Sequence, residues 1–215
     1  VDINKISEID MINTSCLIDF HIWFRYHGDI DASDIIFVNA VEPIELASPD
    51  RKKRTRNISS DEEESEKERI ATLEKEENVG GLTYRLYHVR GRFWIDSDNV
   101  IKESYAAGFR FRHRNLSRNN LIYVTDVLGV GMAEEEKWLT ENMKRKVVLS
   151  PTYNLSIDDT LFFQNVSEES SRGDMRYFDV RNKFVEYSQF NFEIILKKNS
   201  FSLRRRIPDN FTEYL

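Results

Sequence analysis

Residues 14–26, TSCLIDFHIWFRY, alternate strictly between the two sides of an extended chain. One side carries only apolar or aromatic side chains, namely Cys16, Ile18, Phe20, Ile22, Phe24 and Tyr26. The other side carries the polar residues Asp19, His21 and Arg25. Because successive side chains of a β-strand point to opposite faces of its sheet, this period of two predicts a long strand that is buried on one face.

The same period returns at residues 81–95, 108–116, 121–130 and 186–198. In residues 108–116, GFRFRHRNL, the pattern places Phe109 and Phe111 on the buried face. The opposite face then carries an arginine stripe, which consists of Arg110, Arg112 and Arg114. Several aromatic and β-branched strands separated by turn residues are typical of antiparallel sandwiches and barrels, so we predict an all-β fold.

Two segments break this pattern. Residues 132–146 begin with acidic and end with basic side chains, and they space Trp138, Leu139 and Met143 for one helical face. We predict a short helix there, in a crossover between strands. Residues 48–81 join a basic block to an acidic block. This composition predicts a charged, solvated insertion that is partly helical around residues 66–76.

Composition limits the class of protein. The chain has 215 residues, 40% of them hydrophobic, which is enough to bury the core of one domain. We therefore expect one domain at residues 1–203 and a C-terminal tail at residues 204–215. A net charge of −6 argues against a general nucleic-acid binder. The single cysteine, Cys16, excludes an internal disulfide and a cysteine-based zinc site. No apolar run approaches the roughly 18 residues of a membrane span, so we expect the chain as given to be soluble.

The sequence offers no convergent catalytic set. It contains no phosphate-binding glycine loop, nucleophile elbow or paired-histidine motif. The four histidines are scattered and lack metal-ligand spacing: they are His21, His27, His88 and His113. Asp158 and Asp159 lie in a predicted turn before a strand. We therefore expect no enzymatic activity, no metal and no cofactor.

A family resemblance rests on the order of several segments. SDIIFVNAVEP at residues 33–43 is followed by GLTYRLYHVRGRF at residues 81–93, by the arginine stripe and by NNLIYVTDV at residues 119–127. This order resembles the extracellular domain of prokaryotic pentameric ligand-gated ion channels, over nearly the whole chain. The resemblance implies an immunoglobulin-like antiparallel β-sandwich of that type, in the bacterial branch that lacks the paired cysteines of animal receptors.

The resemblance also assigns positions to the parts of a ligand site. Residues 19–29 look like the second strand of that fold, residues 35–40 like the segment with the first binding loop, and residues 111–120 like the second binding loop. Residues 170–190 correspond to the hairpin that caps the site. The chain departs from the family just before the arginine stripe. There ESYAAG, residues 103–108, replaces the aromatic-Pro-Phe-Asp turn that rests on the membrane portion.

The implied ligand pocket lies between subunits. Its expected residues come from the second strand, both binding loops and the capping hairpin: Trp23, Arg25, Asn39, Arg112, Arg114, Tyr177 and Phe178. Trp23 and Arg25 would come from the neighbouring subunit. Guanidinium groups suit carboxylates, so we expect a small acidic or zwitterionic ligand. The alternative is that the stripe pairs with acidic residues across the sheet or the interface, as exposed strand charges usually do.

These assignments imply an extracytoplasmic ligand-sensing domain, on the periplasmic or extracellular side of the cell membrane. By resemblance it forms a homopentamer in which the ligand gates a pore in a separate membrane region. Two alternatives remain open: a sensory module of the same fold linked to another transducer, and a pure assembly module without a small-molecule ligand.

Overall fold

The computed structural model describes residues 1–46, 71–96, 104–125, 135–171 and 184–199. Within them, eight strands form two four-stranded antiparallel sheets, which confirms the all-β prediction. The first sheet has the order β1 (Asp2–Asp10), β2 (Ser15–His27), β5 (Leu82–Trp94) and β4 (Ala71–Val79). The second has the order β3 (Ile35–Phe37), β6 (Ser104–His113), β8 (Phe184–Lys198) and β7 (Leu155–Ser170).

Strand β2 confirms the alternation that predicted it. Its side chains from Cys16 to Phe24 on the apolar side are at most 6% exposed, and those between them are partly exposed. The strand pairs with β5 along its whole length, from Ser15 opposite Trp94 to His27 opposite Leu82. This continuous pairing makes β2 and β5 the centre of the first sheet.

Aromatic rings from both sheets fill the space between them. The rings of Phe20 on β2 and Phe109 on β6 stack with their centroids 4.2 Å apart. Phe37, Phe93 and Phe192 surround this pair, each within 6.1 Å of at least one of the two rings. Such pairs stabilise beyond the burial of their area, so this cluster holds the two sheets face to face.

The predicted helical stretch at residues 66–76 is wrong for its described part. Residues from Ala71 onward form β4, which pairs with β5. A two-residue turn joins the strands, and its glycines have positive φ angles, +60° at Gly80 and +81° at Gly81. Tight hairpins of this kind need positive φ at both central residues. The glycine pair thus specifies a hairpin, and pairing to β5 overrides the helical propensity of the Glu and Lys residues.

The predicted crossover helix is present as α1 (Glu135–Lys146), which lies between β6 and β7 in the chain. Leu139 and Met143 are buried as expected, but Trp138 is 54% exposed, so its assignment to the buried face is wrong. A hydrogen bond of 2.9 Å between the hydroxyls of Thr140 and Thr160 ties the helix to β7. None of the helices in the described residues is long and apolar enough to cross a membrane.

The predicted strand at residues 121–130 is not seen in its described part, because residues 121–125 join no sheet. Tyr123 instead anchors this segment: its backbone N–H donates to the Ser188 hydroxyl and its own hydroxyl donates to the carbonyl of Ala32. Cys16 is a free, buried thiol, and burial raises its pKa to about 12. The predicted domain boundary at residue 203 lies outside the described residues.

Candidate functional site

The arginine stripe on β6 is paired with carboxylates of the same chain. Arg110, at the inner end of the stripe, has a nitrogen 2.8 Å from Asp96 and 3.2 Å from Glu193. Phe109 and Phe111 lie on the opposite, buried face, as the alternation predicted. Arg110 therefore joins β8 to the chain just beyond β5, and its role in the described residues is structural.

Arg112 makes the most complete set of contacts in the stripe. Its side chain is 8% exposed and forms a two-pronged ion pair with Glu169 on β7, with both N–O distances at 2.6 Å. A third nitrogen donates to the carbonyl of His113 at 2.9 Å. The guanidinium also lies 4.1 Å from the centre of the Tyr187 ring. Bidentate pairing and ring stacking are the contacts for which arginine is best suited.

Arg114, just beyond the end of β6, is the most exposed member of the stripe at 38% of its side chain. It lies 3.0 Å from Asp34 and 3.4 Å from Glu45. Its backbone N–H also donates to the carbonyl of Asp34. The pairing of the stripe with acidic residues, one of the two sequence-based interpretations, is therefore realised within a single chain.

Asn39 holds the two sheets together. Its side-chain amide donates to the carbonyl of Gly108 at 3.0 Å, and its side-chain oxygen accepts the backbone N–H of Arg110 at 2.8 Å. Its own carbonyl accepts the backbone N–H of Trp94. These bonds fix the chain after β3 to both β5 and β6, and they occupy the polar groups that the sequence analysis assigned to a ligand.

The remaining predicted residues do not join this group. Trp23 and Arg25 lie on β2, where the alternation with Ile22 and Phe24 directs them away from the core of the first sheet. Arg112 alternates with the buried Phe109 and Phe111 on β6, which directs it away from the core of the second sheet, and Arg114 follows the end of that strand. Trp23 and Arg25 also border a cavity between the sheets. Tyr177 and Phe178 lie outside the described residues.

His113 belongs to the site although the sequence analysis treated it as one of four scattered histidines. It is 5% exposed, and its Nε2 lies 3.1 Å from the carbonyl oxygen of Asp31. Its Nδ1 accepts the backbone N–H groups of Asn115 and Leu116 at 3.0 and 2.9 Å. The ring is therefore a neutral tautomer that donates from Nε2 and shapes the loop that begins with Arg114. The only signal for His113 in the sequence was its position at the end of a strand in which apolar and polar side chains alternate.

We expect the loop after β6 to loosen in acid through His113. Burial lowers the pKa of His113 below its ordinary value of 6.5. The unfolded chain therefore binds the proton first as the pH falls. The stability contributed by neutral His113 is complete above about pH 6.5, and it is lost as the pH falls through that value towards the folded pKa.

The test is urea unfolding of the wild type and His113→Gln at pH 7.5 and pH 5.0. The substitution should lower the free energy of unfolding by about 1–2 kcal/mol at pH 7.5, because buried hydrogen bonds are lost. It should cost less at pH 5.0. His27, which is exposed, provides the control His27→Gln, with little effect at either pH. An equal loss at both pH values for His113→Gln would contradict this role.

A second polar network supports the same loop. Arg85 on β5 is 12% exposed and lies 2.6 Å from Asp31 and 2.8 Å from Glu76. Burial raises the pKa of Asp31, but hydrogen bonds from Ser33 and Arg85 outweigh it and hold that pKa below its ordinary value. Because the carbonyl of Asp31 faces His113, this network extends from the first sheet to the loop that carries Arg114.

Neither a metal-binding cluster nor a relative identifies a function for this site. In the part of the chain that the structure describes, no group of three or more His, Cys, Asp or Glu side chains is arranged to hold a metal ion. Sequence comparisons match the chain to no known protein family and to no curated protein. Around the end of β6, the described side chains form a charged, hydrogen-bonded cluster.

Proposed function

We propose that this β-sandwich is an extracytoplasmic ligand-sensing domain that binds a small molecule between copies of itself. The proposal follows the resemblance to the extracellular domains of prokaryotic pentameric ligand-gated channels. In that arrangement the ligand lies at each subunit interface of a homopentamer and gates a pore in a membrane region. Ligand binding shifts the population of interfacial arrangements by its differential affinity for them.

One observation carries the proposal. The strand alternation directs Trp23 and Arg25 to the outer side of the first sheet and Arg112 to the outer side of the second, and Arg114 follows the end of the strand that carries Arg112. A single chain cannot bring these four side chains together. Two neighbouring copies can, if the first sheet of one faces the second sheet of the next, and this is the arrangement that the resemblance implies.

The charges favour a zwitterionic ligand over a purely acidic one. Arg114 already lies against the carboxylates of Asp34 and Glu45, and all three side chains are more than one third exposed. A ligand carboxylate that pairs with the guanidinium of Arg114 leaves Asp34 and Glu45 without their partner. A ligand that also carries an ammonium group can pair with one of these acids, so an amino acid-like molecule leaves less uncompensated charge here than a purely acidic one. Arg112 is held by its ion pair with Glu169, so its role is to stabilise the surface around Arg114.

The test is the solution mass of the protein by light scattering, with and without a panel of amino acids and simple carboxylates. We expect an oligomer that amino acids strengthen. Arg114→Ala should weaken the effective ligand by about tenfold or more, because it removes a charge-assisted contact. Arg145→Ala, on the exposed side of α1, is the matched control and should bind as the wild type does. A chain that stays monomeric with every ligand would overturn the proposal.

A second candidate is a sensory module of the same fold that acts through a transducer other than a pore. It is favoured by residues 104–108, which belong to β6 and pair with β8 at the position where the channel family has its Pro-containing turn. Ligand-dependent assembly without any effect on ion conductance of the full-length protein would favour this candidate over the channel.

A further inference from the structure

A cavity of about 340 Å³ lies between the two sheets, beside the last part of β2. On one edge β2 pairs with β1 between Ser15 and His21, whereas on its other edge it pairs with β5 as far as His27. Residues 121–125 border the cavity as well. Seven aromatic residues contribute to its lining: Trp23, Phe24, Tyr26, Phe111, Tyr123, Phe162 and Phe190.

Five of these rings, those of Phe24, Phe111, Tyr123, Phe162 and Phe190, form one connected wall around Phe111. Its ring stacks on Phe190 with centroids 5.3 Å apart, and it meets Tyr123 edge-on at 5.0 Å and Phe24 edge-on at 5.8 Å. Phe162 extends the wall from Phe190, at 6.3 Å. Because the rings support one another, the wall is preorganised, and a guest does not have to order it.

The hydroxyl groups of the aromatic lining are already engaged. Tyr123 donates to the carbonyl of Ala32 at 2.8 Å, and Tyr26 donates to Asp31 at 3.4 Å. Burial raises the pKa of Tyr26 to about 12, so its hydroxyl is neutral at physiological pH. The wall therefore offers ring faces and edges rather than open hydrogen-bonding groups.

We propose that this cavity binds an uncharged aromatic molecule of about two fused rings. Its volume is roughly twice the 150 Å³ of an engineered apolar cavity that accepts benzene, and it falls within the roughly 300–1,000 Å³ that is usual for small-molecule pockets. Offset and edge-on contacts with the aromatic lining stabilise an aromatic guest. A charged group would lose its hydration on entering. The engaged hydroxyls would not replace it, and Arg25, which also borders the cavity, already interacts within the chain.

This site differs from the interfacial one in chemistry and in most of its lining, although Trp23 and Arg25 border both. It lies inside one chain, between the sheets, and it needs no second copy. Its guest is uncharged, whereas the interfacial ligand is zwitterionic. Arg114→Ala should therefore leave it unchanged.

Indole is a suitable probe, because it has two fused rings and no charge. Calorimetric titration of the wild-type protein should detect binding. A concentration tenfold above the dissociation constant should raise the midpoint of thermal unfolding by about 3 °C. Indole-2-carboxylate should bind at least tenfold more weakly. The absence of indole binding, or tighter binding of the carboxylate, would overturn the proposal.

Filling the cavity provides the second test. Leu121 is partly buried at the cavity, so Leu121→Trp should weaken indole binding at least tenfold. Ile12→Trp adds a ring of the same size at a residue that is 93% exposed, in the turn between β1 and β2, and it should leave indole binding unchanged. Ala32→Leu fills the cavity from another side, and it replaces Leu121→Trp in this test if that variant does not fold. If a folded variant with the cavity filled binds indole as tightly as the wild type does, indole binds elsewhere and the proposal is overturned.

Discussion

Replacing Arg112 by methionine is expected to lower the free energy of unfolding by about 3 kcal/mol. The change removes both hydrogen bonds to Glu169, the bond to the carbonyl of His113 and the contact with the Tyr187 ring. Glu169 is then left half-buried without its partner. Removing one partner of a buried ion pair typically costs about 3–5 kcal/mol, and the 30% exposure of the Glu169 side chain places the expected value at the lower end of that range.

The double variant Arg112→Met/Glu169→Gln should recover part of this loss, because it leaves no unpaired charge. Urea unfolding of the wild type, the two single variants and the double variant gives their coupling energy, which we expect to be at least about 1 kcal/mol. Arg118→Met is the matched control, since Arg118 and Glu186 are both 50% exposed at 3.4 Å, and it should cost less than about 1 kcal/mol. Similar losses for Arg112→Met and Arg118→Met would contradict the structural role of Arg112.

Replacing Gly108 by alanine is expected to lower the free energy of unfolding by about 3 kcal/mol or more. Gly108 lies in β6 opposite Glu193 of β8. A β-carbon at residue 108 would overlap the carbonyl oxygen of Phe192, and it would lie 3.0 Å from the α-carbon of Glu193. Both obstacles are backbone atoms in the middle of a sheet, so relief requires the two strands to separate, which is a costly form of overpacking.

Gly91→Ala is the matched control for Gly108→Ala. Gly91 also lies in a central strand, but its added β-carbon would overlap the terminal carbon of the Ile44 side chain. A side-chain end can change rotamer, so we expect a smaller loss, of about 1–2 kcal/mol. Thermal and urea unfolding of both variants measure the difference. A loss in Gly91→Ala that equals or exceeds that in Gly108→Ala would contradict the close approach of β6 and β8.

Both predictions concern the strand on which the proposed site is built. Arg112 fixes the end of β6 to β7, and Gly108 permits the close contact of β6 with β8. The loop with Arg114 follows directly, and His113 shapes it. The exposed part of the site is thus held by groups that are themselves buried, which is what a precise binding surface requires.

The sequence by itself determined the all-β class and the buried faces of β2 and β6. The alternation at residues 14–26 and 108–116 identified β2, β6 and their buried aromatic residues, because the two-residue period is a local property of an extended chain. The glycines at 80 and 81 also carried a local signal for a hairpin. The helix predicted at residues 66–76 followed from their charge and did not use this signal, and only pairing with β5 decided that Ala71–Val79 is a strand.

Only the tertiary structure decided the partners of the polar residues. Arg112 meets Glu169, 57 residues away, and Arg114 meets Asp34, 80 residues away. Nothing in the local pattern distinguishes these arginines from ligand-binding ones. Trp138 was placed on the wrong face of α1, and His113 was missed, for the same reason. A side chain's position on its own element depends on the local sequence, whereas the groups it meets depend on how distant segments pack.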